Sequence, residues 1–115
     1  MRRAMTTHTT DERGIETLPG GMRVIMRPST VNSIVAVALF LPLPRAIVAP
    51  SEAGLVRFLH GMLLRGTTSR SAAELNETIE ALGTSISSSD SNDYSQAGMV
   101  CTADTFPASM ELLAD

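Results

Sequence analysis

The feature that most constrains this chain is its longest uninterrupted apolar run, Ile34 to Leu41, which ends against Pro42 and Pro44. A helix that crosses a bilayer needs roughly 20 apolar residues. This run is far shorter, so no membrane span is expected. Ile34, Val35 and Val37 are β-branched, and Ser33 to Leu41 reads as a strand. Because almost every position is apolar, the expectation is a strand buried on both faces or at a sheet centre. Such a strand needs neighbours, and the flanking sequence offers them.

Ile15-Glu16-Thr17-Leu18 alternates, Pro19-Gly20-Gly21 is turn chemistry, and Met22 to Arg27 runs back until Pro28. That predicts a hairpin. Pro42, Pro44 and Pro50 predict a loop up to about Ser51. Ser51 to Arg65 predicts a helix, with Ser51 as its cap, Glu52 at its positive end and Gly66 at its exit. Its apolar residues cover most of the circumference, so it should be largely buried. Arg57, His60 and Gly61 are the exceptions, and their spacing places them on one face.

Ser71-Ala72-Ala73-Glu74 is a capping-box pattern for a second helix, which Gly83 ends. Thr84 to Ser89 reads as a strand, Asp90 to Asp93 as a turn and Tyr94 to Thr102 as another strand. Phe106-Pro107 opens a third helix, since proline suits a first turn. The order β-β-β-α-α-β-β-α predicts an α+β fold, a largely antiparallel sheet with helices packed on one face. The third helix reaches Asp115 in mid-pattern, with no cap and no basic last turn. The expectation is therefore the first part of a longer domain over residues 15–115, behind a disordered polar tail at 1–14.

Composition narrows the function classes. The 115 residues suit one domain. They carry nine arginines, no lysine, twelve acidic residues and a net charge of −3. With no basic block, nucleic acid is not an expected partner. Cys101, the single cysteine, cannot close an internal disulfide and reads as a buried small hydrophobe. Met1-Arg2-Arg3 is followed by a Thr-rich charged stretch where a signal peptide would be apolar, which leaves the cytoplasm as the expected location.

Ala53-Gly54-Leu55-Val56-Arg57-Phe58-Leu59-His60-Gly61-Met62-Leu63-Leu64-Arg65-Gly66-Thr67 resembles the signature of the insulinase/pitrilysin zinc metallopeptidases, a family that includes the mitochondrial processing peptidase. That signature is close to A-G-L-A-H-F-L-E-H-M-L-F-K-G-T and contains H-x-x-E-H. The likeness continues through Arg70 to Leu75, Ile79 to Gly83 and Asp93-Tyr94. Upstream, Thr17 to Val24 is similar to the family's opening hairpin. It covers roughly Glu16 to Asp115.

In active members the two histidines bind zinc and the glutamate activates a metal-bound water. Here those positions hold Arg57, His60 and Gly61. Arginine has no lone pair to donate, and glycine has no side chain. The family's third ligand, a glutamate on a later helix, would lie beyond Asp115. The resemblance therefore implies a chain with no catalytic or metal-binding residue of its own. Zinc is expected only in an active partner.

Each of these positions also has a plain structural reading. His60 is a residual proton shuttle or an ion ligand, or, the favoured reading, a histidine filling the vacated space and hydrogen-bonded to a neighbour. His8, in the tail, is discounted. Arg57 either pairs with a carboxylate or lies along an apolar face with its head in water. Gly61 costs a helix about 1 kcal/mol relative to alanine, for which close packing is the expected reason. Ser87, Ser88 and Ser89 match the strand that, in active relatives, receives an extended peptide by strand addition. The favoured reading is a polar edge strand or loop.

The resulting expectation is a non-catalytic insulinase/pitrilysin-like subunit or fragment. It would help a homologous zinc-bearing peptidase subunit enclose and process peptide substrates, in a heterodimer. The alternatives are a structural or assembly subunit with no peptidase role, and a divergent active metalloendopeptidase.

Overall fold

The computed structural model describes residues 9–10, 14–42, 49–52 and 54–115, which form two compact units, Met1–Asn32 and Ser33–Asp115. In the first unit, β1 (Thr9–Thr10), β2 (Ile15–Thr17) and β3 (Arg23–Ile25) form an antiparallel sheet in that order. The expected hairpin is β2–β3, with Ile15 opposite Ile25 and Thr17 opposite Arg23. Its turn depends on Gly20 and Gly21, at φ 101° and 86°, where a Cβ would be strained. Thr9 and Thr10 pair with Thr17 and Glu16, which corrects the tail reading for those two residues. The free edge of the hairpin gives their backbone groups partners. Residues 1–8, His8 among them, and 11–13 lie outside the described residues.

The second unit contains β4 (Ile34–Leu41), α1 (Leu55–Met62), α2 (Ala72–Ala81), β5 (Ser85–Asp90), β6 (Ser95–Thr102) and α3 (Phe106–Ala114). Its sheet is antiparallel with the order β4-β6-β5, so the last strand in sequence is central. Register is continuous across it: Val37 faces Met99, which faces Ile86. Val35, Val37 and Leu39 share one face with Met99, Cys101 and Ile86. The helices cover that face, α1 and α2 against β5 and α3 against β6. Leu75, Met99, Cys101 and Leu112 are its buried core, as expected for Cys101. A 2.7 Å hydrogen bond between the Thr84 and Ser109 hydroxyls ties the approach to β5 to α3 inside it.

The fold class is α+β, as the element order predicts. Three local expectations are corrected. β4 is not buried on both faces, because the helices lie on one face only. Ile34, Ala36, Ala38 and Phe40 stay exposed on the other, where Phe40 meets Tyr94 edge-to-face at 5.5 Å. The first helix does not start from a Ser51 cap. Pro50–Glu52 is a separate 3-10 turn, and α1 begins after Gly54. Gly54 sits at φ 93° and offers no side-chain cap. Nor is α1 buried: Phe58 is 64% and Leu59 54% exposed, since only one side of the helix meets β5.

The second helix follows its sequence closely. Ser71 accepts from the Glu74 backbone N–H at 3.3 Å, and Glu74 accepts from the Ser71 N–H at 2.8 Å. Both halves of the capping box are present. Residues 43–48 of the expected proline loop, Pro44 included, lie outside the described residues. No helix among the described residues is long and apolar enough to cross a membrane.

Candidate functional site

Eight residues of α1 give just over two turns, so Arg57, His60 and Gly61 fall on one side of it. That side lies against the end of β5. The Ser88 hydroxyl donates to the His60 carbonyl at 3.2 Å and fastens strand to helix. Between the two is an open hollow of about 430 Å³, lined by Arg57, His60, Gly61, Ser88, Ser89 and Asp90. The fold thus brings together five of the six positions singled out from sequence. Ser87 is the exception: it lies further along β5 and does not line the hollow.

Asp90 is the lining residue that sequence reasoning missed, having been read as part of a turn. β5 continues through it, and its spacing of two from Ser88 returns it to the helix side. That spacing was the available signal.

His60 differs from its favoured reading. Its Nδ1 is buried and has no hydrogen-bond partner among the described residues, so that nitrogen is not satisfied there. Gly61 also differs. A Cβ built on it meets nothing within 4 Å, so close packing does not explain the glycine. Arg57 is exposed, and no carboxylate pairs with it among the described residues.

This donor set does not fit a zinc ion. A catalytic zinc needs three protein ligands. Here one imidazole stands between a guanidinium, which repels a dication, and a glycine. No group of three His, Cys, Asp or Glu residues able to hold a metal occurs among the described residues. What the hollow offers is a permanent cation, a carboxylate and an adjacent sheet edge.

A second polar cluster lies elsewhere in the same unit. Thr67, Ser69 and Arg70 surround the Asp115 carboxylate, with the two hydroxyls at 2.9 and 2.7 Å and the guanidinium completing the set. The Ser69 and Thr67 hydroxyls, with Arg70, hold the Asp115 carboxyl below its usual range. Ser71 does the same for Glu74 through its hydroxyl and backbone N–H.

A family model for insulinase, peptidase family M16, matches residues 23–115. Among solved structures, a peptidase M16 inactive domain from Pseudomonas fluorescens matches with a TM-score of 0.72 at 13% identity. The match covers 96% of this chain and 25% of that one, so this chain spans about a quarter of its length. No curated protein matches the sequence.

Proposed function

The chain belongs to the insulinase family, peptidase family M16, and from that premise we propose that it is a non-catalytic member or piece of one. In this reading it helps an active, zinc-bearing homologous subunit enclose and process peptides. The carrying observation is the donor set on α1. Arg57, His60 and Gly61 occupy the positions of the resembling zinc motif and leave one imidazole where a zinc peptidase needs its ligands and base. The similarity to a solved domain whose description calls it inactive supports the same reading. The contribution of the chain is then a wall and a peptide-binding edge, for which β5 is the candidate. Its one side bonds to β6, and no described strand pairs with the other.

The test combines metal analysis with a peptidase assay, on the chain alone and with a homologue that carries H-x-x-E-H. The expected result is no zinc and no cleavage alone, with turnover by the homologue enhanced on mixing. Stoichiometric zinc with cleavage by this chain alone would instead establish a divergent active metalloendopeptidase. A stable complex with unchanged turnover and no peptide binding would establish a structural or assembly role.

A further inference from the structure

We infer that the hollow beside β5 selects extended peptides with an acidic side chain, whose carboxylate is received by Arg57; this rests on the peptide-binding reading of β5. A peptide added to the free side of β5 takes its affinity from backbone hydrogen bonds, and any selectivity must come from pockets beside alternate residues. Ser88 faces the helix side: it is half-buried and bonded to α1, whereas Ser87 and Ser89 are exposed. A peptide residue level with Ser88 therefore directs its side chain to the same side. There it meets the hollow lined by Arg57.

Arg57 is charged at every working pH and has five N–H donors in a planar fork. It has no carboxylate partner among the described residues, so an incoming carboxylate displaces none of these. Asp90, the one acidic residue of the hollow, already has an interaction of its own. A bidentate guanidinium–carboxylate pair is the strong form of such a contact. The overall charge of −3 disfavours acidic peptides in general, so a preference for one has to be local.

The experiment measures fluorescence anisotropy of labelled nine-residue peptides against the whole chain. The peptides share one uncharged Ser/Thr/Val background and carry Glu, Gln or Lys at the centre. The expected result is Glu over Gln by about five- to tenfold, and Gln over Lys. Arg57→Gln should abolish the Glu preference, and Arg57→Glu should reverse it towards Lys. Equal binding of the three peptides, or a Glu preference that survives Arg57→Gln, overturns the inference and leaves the strand-addition reading standing. If the unaltered chain binds none of them, that reading falls and the inference falls with it.

Discussion

Gly61 sits near the end of α1 with a helical backbone and open space where a Cβ would project. Nothing among the described residues requires glycine there, and glycine in a helix is less favourable than alanine. Gly61→Ala should therefore stabilise the protein by about 0.5–1 kcal/mol, seen as a higher urea midpoint. An unchanged or lower midpoint would show that something closes over this position. Glu74 and Asp115 supply the expected pH dependence. Both carboxyls have pKa values below their usual 4.5 and 3.8, Glu74 through Ser71 and Asp115 through Ser69 and Thr67. A carboxyl with a lower pKa when folded binds fewer protons in the native state. Its stabilisation is complete above the unfolded value and is lost as pH falls through the folded one. Urea midpoints should hold steady above about pH 5 and decline below about pH 4. In Ser71→Ala the midpoint at pH 7 should drop by the worth of a cap, about 1 kcal/mol, and the acid decline should be shallower. A decline as steep as in the unaltered chain would detach Glu74 from the effect.

At the scale of the element, α1 is where sequence and structure part most. A helix apolar around most of its circumference predicts burial, yet Phe58 faces outward. Phe58→Ser should consequently change stability by no more than about 0.5 kcal/mol, whereas truncating a buried phenylalanine costs about 3–5. Thermal and urea unfolding distinguish these two outcomes directly. The capping box at Ser71 and Glu74 was legible because four adjacent residues specify it. The β2–β3 hairpin was legible for the same reason, its turn being written in Pro19-Gly20-Gly21. Which face of β4 is covered was not legible, since an unbroken apolar run has no period to show it. The start of α1 was missed because Ser51 offers a plausible cap, while the backbone uses the left-handed Gly54 three residues later. Of the site, the grouping of Arg57, His60 and Gly61 follows from helical spacing alone. Their meeting with Ser88 and Asp90 does not, because it depends on α1 packing against β5.

Across the second unit, apolar side chains stay uncovered in two places: Leu55, Phe58, Leu59 and Met62 on α1, and Ile34, Phe40 and Val100 on the open sheet face. Surfaces of this kind promote association. Sedimentation velocity should therefore show concentration-dependent self-association, reduced by Phe40→Ser. A single monomeric species at high concentration would contradict this. The strand order β4-β6-β5 has one more consequence, and it concerns synthesis. Roughly fifty residues separate Leu41 from Ser95, so β4 leaves the ribosome long before its partner exists. At about 5–20 residues per second, that delay amounts to several seconds. Throughout it the most apolar segment of the chain lacks the strand it pairs with in the folded sheet, which makes the nascent β4 a natural client for a chaperone.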